Sequence, residues 1–271
     1  MSLPFDDIES PLEEIEFLAR SPNRVRVLDT LGDTPLERHQ IEDETGVSRA
    51  TLARILDDFE ERGWVTRDDR QYEMTPVGHY VAREFTDLLK RFEPVPKLND
   101  VGEWFPKEGF DFDLGRLAGA EIVRSTKSDA LAPTTHITCR LRSADRVQVL
   151  SYSHLSDVME VCWRGTVEGG LELESVVDRG VLDRIGTDAR MVDHAQEMIE
   201  SGQAKLFWHE GPIPVTVFVI DDWVLLCLSG DEGPPHAVIE TTDAAIRSWA
   251  ESIIDTYRRE GKSLDSELFT E

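Results

Sequence analysis

Lysine, cysteine and long apolar runs are all scarce in this 271-residue chain, and each shortage excludes something. No run approaches the roughly 18 apolar residues that a membrane helix requires, so no membrane partner is expected. The opening stretch MSLPFDDIESPLEE is acidic and lacks a basic-then-apolar leader, so the chain is expected to be cytoplasmic. The three cysteines, Cys139, Cys162 and Cys227, form no CxxC pair. That spacing argues against a disulfide framework and a cysteine zinc site, and all three are read as buried small hydrophobes. Neither a metal nor a cofactor is expected.

Positive charge is the other deficit: 54 acidic residues face 29 basic ones, a formal net charge of −25. Only 6 of the basic residues are lysine and 23 are arginine. Nucleic-acid binders ordinarily carry the opposite sign. Acidity spread along the whole chain with little lysine resembles instead proteins that work in molar salt, where the Debye length is about 3 Å and self-repulsion is screened. The charge then reports habitat rather than partner. The competing reading is an ordinary-salt protein that avoids polyanions.

What the chain does contain is a succession of ordinary elements without repeats. A first helix is expected to begin over Pro11–Arg20 and to continue or restart over Pro22–Leu31, and a second to run over about Pro35–Glu44, with Leu36 and Ile41 facing inward. The next helix carries Leu52, Ile55, Leu56 and Phe59 on one face, with Ser48 as its cap. Trp64–Arg67 and Gln71–Thr75 alternate around the polar tip Asp68-Asp69-Arg70, a hairpin. Val77, Val81, Phe85, Leu88 and Leu89 mark a further helix to about Phe92. Three helices, a hairpin and a helix are the order of a winged helix.

Residues 93–113 are rich in proline, glycine and aromatics and read as a connector that packs. Beyond it, strands are expected at Glu121–Arg124, Val147–Tyr152, Leu171–Val177, Ala204–Trp208, Val215–Ile220, Trp223–Leu228 and His236–Glu240. Helices are expected near Thr134–Ser143, Asp157–Trp163, Ala189–Glu200 and Asp243–Arg259, with a hairpin turning at Asp221-Asp222. The fold class is therefore α+β: an N-terminal winged helix-turn-helix over 12–92, then an α/β sandwich with a mixed sheet over 114–262, and a tail at 263–271.

In a helix-turn-helix the second helix lies in the major groove. Here the turn is Thr45-Gly46-Val47, and the outer face of the helix after it offers Arg49, Ala50, Thr51, Ala53 and Arg54. Arginine suits guanine, threonine gives a hydroxyl or methyl contact, and alanine lets the helix sit deep. Ser48 and the free N–H groups of the first turn suit a phosphate. Arg67 and Arg70 at the hairpin tip are placed to touch flanking backbone or minor groove, with Asp68 and Asp69 blunting them. The DNA-binding set is thus Ser48, Arg49, Ala50, Thr51, Arg54, Arg67 and Arg70. The alternative is that the arginines are solvated partners of carboxylates such as Asp57 and Glu61.

The stretch Ile41-Glu42-Asp43-Glu44-Thr45-Gly46-Val47-Ser48-Arg49-Ala50-Thr51-Leu52, with Glu61-Arg62-Gly63-Trp64-Val65 and Met74-Thr75-Pro76-Val77-Gly78, resembles the winged-helix domain of archaeal and bacterial MarR/ArsR-like regulators. The second half resembles the middle domain of archaeal regulators named for methanogenesis control, related in shape to TrmB-type sensors and to the phospholipase-D-like fold. That likeness rests on Ala144-Asp145-Arg146-Val147, Gly211-Pro212-Ile213-Pro214-Val215, Val219-Ile220-Asp221-Asp222 and Ser248-Trp249-Ala250 with Tyr257. The resemblance implies a haloarchaeal transcription regulator that pairs with double-stranded DNA as a homodimer and answers a small-molecule or protein effector.

Enzymatic readings fare poorly. A phospholipase-D-type site needs a histidine with lysine two residues on. The residues two after His39, His79, His136, His154, His194, His209 and His236 are Ile41, Val81, Thr138, Ser156, Gln196, Gly211 and Val238, so no catalytic residue is assigned. His154, beside Ser153 and Ser156 at a strand end, is a candidate ligand contact, with Tyr152 beside it in one pocket. His136, Arg140 and Arg142 are a candidate anion site or a solvated helix face. A winged-helix protein-interaction adaptor, and an enzyme with a winged-helix appendage, are the competing functions.

Overall fold

A computed structural model describes residues 9–106, 109–230 and 233–264. The expected tail at 263–271 thus lies almost wholly outside the described residues. Contacts divide the chain into two compact units, Met1–Lys90 and Arg91–Glu271.

The first unit is built from α1 (Glu9–Ala19), α2 (Pro22–Leu31), β1 (Leu36–Glu37), α3 (Arg38–Thr45), α4 (Arg49–Glu61), β2 (Val65–Asp68), β3 (Gln71–Met74) and α5 (Pro76–Phe92). Leu18, Val27, Leu31, Ile41, Leu52, Leu56 and Phe59 meet in its core. The strands form an antiparallel sheet in the order β1-β3-β2. Here one expectation fails. Leu36 does not belong to a helix; it pairs with Tyr72, and the helix begins only at Arg38. Glu37 stays extended and closes a capping box, its backbone N–H donating to Gln40 Oε1 at 2.7 Å. A two-residue strand has no period to read, so the capping residue was the only available signal.

The expected hairpin forms, and its turn is narrower than the three-residue tip. Asp68 pairs with Gln71, leaving Asp69 and Arg70, with Asp69 at φ 51. Asp tolerates that left-handed conformation better than most residues. At the other end of the wing, Thr75 Oγ1 donates to Gly63 O at 2.7 Å and accepts from Gly78 N at 3.1 Å. Gly78 sits so close that an added Cβ would stand 2.0 Å from Trp64 O. Only glycine permits the first turn of α5 to rest on that carbonyl.

The second unit contains α6 (Val95–Asn99), β4 (Glu121–Arg124), α7 (Ala132–Leu141), β5 (Arg146–Ser151), α8 (Ser156–Arg164), β6 (Glu172–Asp178), α9 (Arg179–Gly186), α10 (Ala189–Glu200), β7 (Ala204–His209), β8 (Thr216–Ile220), β9 (Trp223–Leu228), β10 (Ala237–Thr241), α11 (Ala244–Glu260) and β11 (Lys262–Ser263). Its eight-stranded sheet runs β11-β7-β6-β5-β8-β9-β10-β4. The β5–β6 and β6–β7 pairs are parallel and the rest antiparallel, which is the expected mixed sheet. Alternate residues feed two cores: Val147, Phe218 and Leu225 one, Leu150, Val217 and Leu226 the other. Because both faces are covered, β8 and β10 are buried at every position.

The aromatics of residues 104–112 pack on the second core, with Phe110 and Phe112 edge-on to Trp249 at 5.6 and 5.0 Å. The turn at Asp221-Asp222 is where it was expected, with Asp221 at φ 50 and its Oδ1 accepting from Arg146 N at 2.9 Å. Helix α9 was not foreseen. Asp178 caps it and Val181, Leu182 and Ile185 bury its inner face, yet Gly180 and Gly186 disguise a helix of only 8 residues. The cysteine expectation holds for Cys162 and Cys227, whereas Cys139 is exposed on the outer side of α7.

Candidate nucleic-acid interface

The turn between α3 and α4 is fixed by local bonds. Thr45 Oγ1 donates to Ile41 O at 2.6 Å and accepts from Val47 N at 3.2 Å, while Gly46 takes the left-handed φ of 66. Val47 is buried and anchors the turn. Ser48 then caps α4: its Oγ accepts from Thr51 N at 3.4 Å and lies 2.9 Å from Thr51 Oγ1. Leu52, Ile55, Leu56 and Phe59 turn inward, so Ser48, Arg49, Ala50, Thr51 and Arg54 are all exposed on the opposite side.

Bracing holds this helix in place. Arg24, whose guanidinium lies 3.8 Å from the Phe17 ring centre, ties α2 to α4 through Asp58 at 3.1 Å. Arg38 Nη2 donates to the Arg49 carbonyl at 2.8 Å. Glu42 stands between Arg38 and Arg49, at 3.7 and 3.4 Å. Sequence reasoning missed Arg38; its place at the first position of α3, one turn ahead of Glu42, was the available sign.

The arginines are not consumed by the carboxylates that the competing reading named. Among the described residues, Arg49, Arg54, Arg67 and Arg70 make no ion pair with Asp57 or Glu61, and Arg54 and Arg70 make no ion pair with any residue. Arg49 is 82% exposed, so its contact with Glu42 is a weak surface pair. Arg67 Nε donates to Asp69 O at 2.9 Å, which ties its head to the wing turn.

In the second unit the two candidate ligand contacts do not meet. Tyr152 lines a groove with Trp104, Phe105 and Ile213, whereas His154 lines a separate apolar cavity with Val158, Met159 and Cys162. The strand ends at Ser151, whose Oγ donates to Ser153 O at 2.8 Å and accepts from Ser153 N at 3.2 Å. That local turn breaks the alternation that would have put residues 152 and 154 on one side. Burial, and then the nearby Arg184 charge, hold the His154 imidazole below its ordinary pKa, so it is neutral near pH 7.

The candidate anion site is also taken apart. His136 Nε2 and Arg140 Nε each lie 2.7 Å from Glu240 Oε2, and Arg140 Nη2 bonds Glu240 Oε1. Glu240 is 1% exposed, so Arg140 neutralises an internal carboxylate to which His136 is also hydrogen-bonded, and neither faces an external anion. Burial alone would raise the Glu240 pKa, but the bonds from Arg140 and His136 outweigh it and leave the carboxyl below its usual range. A glutamate directly after the apolar run Ala237-Val238-Ile239 was the sequence sign that a partner had to be found. Among the described residues no group of three or more histidines, cysteines or carboxylates is arranged to hold a metal, and no helix is long and apolar enough to cross a membrane.

Comparison with known proteins adds two family matches. Residues 12–95 match the HVO_A0261 N-terminal domain, and residues 130–260 match the middle domain of the methanogenesis regulatory protein FilR1. The expected likeness to regulators of methanogenesis control is thereby borne out. Among solved structures the chain is similar to TrmBL2, described as an archaeal chromatin protein with a novel mode of DNA binding. The identity is 13% and the TM-score 0.40, over 93% of this chain and 99% of that one. It is also similar to Nuc, a phospholipase D family member from Salmonella typhimurium, at 16% identity and TM-score 0.42 over 54% of this chain and 98% of that one. NucT from Helicobacter pylori aligns at 12% identity and TM-score 0.37, over 54% and 98%. No curated protein matches the chain.

Proposed function

We propose that the chain is a cytoplasmic transcription regulator of a salt-adapted archaeon that binds double-stranded DNA as a homodimer. Helix α4 enters the major groove through Ser48, Arg49, Ala50, Thr51 and Arg54, and the β2–β3 wing brings Arg67 and Arg70 to the flanking backbone. The observation that carries the reading is the division of α4 into a buried face of Leu52, Ile55, Leu56 and Phe59 and an exposed face whose N-terminal part, with the cap Ser48, presents those five residues. The match of residues 130–260 to a regulatory protein's middle domain supports the regulator class, with the second unit receiving an effector or pairing subunits.

Pairing is supported by α5. Within the first unit Val77 and Tyr80 are 55% and 59% exposed and stand three residues apart on one side of the helix, an apolar surface suited to a second copy. Two recognition helices about 34 Å apart would then read a two-fold related site.

The test begins with genome-wide mapping of bound sites, with and without a change of nutrient or oxidant, and continues with binding of the mapped duplex in molar KCl. Replacing Arg49 and Arg54 together by alanine is expected to weaken specific binding by about tenfold or more, since each bidentate base contact is worth about 1–3 kcal/mol. Unaltered binding by the double variant refutes this placement of the interface. A wild-type chain that binds no mapped duplex but retains a protein partner favours the adaptor.

A further inference from the structure

The second unit holds a cavity of about 90 Å³ beneath α8, lined by Val149, Val158, Met159, Cys162, Met198 and His154 among others. Every lining side chain is apolar or neutral; no aspartate, glutamate, lysine or arginine contributes. One polar atom is out of keeping with this. His154 Nε2 is buried and has no hydrogen-bond partner. An unpaired buried imidazole nitrogen is disfavoured unless something bonds it in another state of the protein.

Position adds a second argument. The cavity reaches the carboxyl ends of the parallel strands β5 and β6, where Ser151 and Val177 line it, and extends along the sheet past Val149, Leu173 and Leu206. There β5 has a parallel neighbour on one side and the antiparallel β8 on the other. Open α/β sheets bind ligands at such ends and switch points. Ser151 is not free to serve, because its hydroxyl is engaged with Ser153 and lies 3.2 Å from Thr216 Oγ1. His154 is the group left over.

We propose that this cavity is a binding site for a short, uncharged aliphatic molecule bearing one hydroxyl or carbonyl, its chain among Val158, Met159, Cys162 and Met198 and its polar end on His154 Nε2. Size sets the chain length: a cavity of about 150 Å³ takes benzene, so this one takes about four non-hydrogen atoms before the ligand extends into the mouth. Charge sets the class. A carboxylate or ammonium would meet no charged side chain in the lining, whereas one neutral group satisfies the one orphan nitrogen. Two methionines and a cysteine form a soft, adaptable wall that can follow related chain shapes.

The inference stands whether or not the first unit binds DNA, and its test needs no operator. The full chain in molar KCl is titrated with xenon, followed by its NMR shift, and with 1-butanol, followed by saturation transfer. Saturable binding of both is expected in the wild type, with 1-butanol displacing xenon. Val158→Phe fills the cavity and is expected to remove both signals. His154→Leu is expected to keep xenon binding, which also reports an intact fold, and to weaken 1-butanol about tenfold, the loss of one buried hydrogen bond. The proposal is overturned by a wild type that shows no saturable site for 1-butanol, by a butanol site that xenon does not share, or by His154→Leu binding 1-butanol as the wild type does. The wild-type competition alone decides the matter if either variant fails to fold.

Discussion

Glu240→Gln isolates the contribution of one buried charge in the second unit. The carboxylate is 1% exposed and is held by His136 and by two nitrogens of Arg140, whose guanidinium also lies 4.1 Å from the Trp223 ring centre. Glutamine keeps the shape but turns three charge-assisted bonds into weaker ones and sets an amide N–H₂ against a donor. At about 1 kcal/mol lost per bond the cost is about 3 kcal/mol. Arg140 and His136 are 33% and 20% exposed and can recover water, which lowers the figure to about 2 kcal/mol. For a domain of this size that is a fall in Tm of about 4–8 °C. Thermal unfolding followed by circular dichroism in molar KCl measures it. The pH dependence is a second readout. Because the folded pKa of Glu240 is depressed, its stabilisation is full above about pH 4.3, the ordinary glutamate value, and is lost as pH falls through the folded value. The gap between wild type and variant should therefore close in acid. A variant that melts within about 1 °C of wild type at pH 7, or a gap that widens below about pH 4, refutes this account of the cluster.

Other expectations follow from the first unit. Gly78→Ala places a Cβ 2.0 Å from a backbone oxygen, so the unit should lose about 2 kcal/mol or more, read as a lower denaturant midpoint; an unchanged midpoint would show that α5 can shift off the wing freely. Val77→Glu with Tyr80→Glu should turn a dimer into a monomer by light scattering, and a variant that remains dimeric removes α5 as the interface. Duplex binding should persist or strengthen up to molar KCl, because carboxylates such as Asp57, Asp68 and Asp69 near the arginines must recruit cations; a steep loss below about 0.5 M salt contradicts that.

Period and burial were legible wherever an element was long enough to repeat. Leu52, Ile55, Leu56 and Phe59 disclosed α4 and therefore its outer face, and strand segments alternating with helical ones disclosed an α/β sandwich with a mixed sheet. Short elements were not legible. β1 offers two residues, and α9 is bounded by glycines. Partners distant in sequence were equally hidden: nothing near His136 or Arg140 points to Glu240, 100 or more residues away. The separation of Tyr152 from His154 depends on a hydroxyl turn at Ser151 that strand alternation does not encode.

The seat of α5 on the wing has a mechanical meaning. Trp64 O accepts from the Thr75 backbone N–H at 2.9 Å and lies 3.2 Å from Thr75 Oγ1, while Gly78 presses against the same carbonyl. A joint so filled cannot act as a hinge. Helix and hairpin must swing as one lever, so tilting the far end of α5 sweeps the Asp69-Arg70 tip through an arc instead of bending the chain at Thr75. Any force applied along that helix is delivered to the wing as displacement.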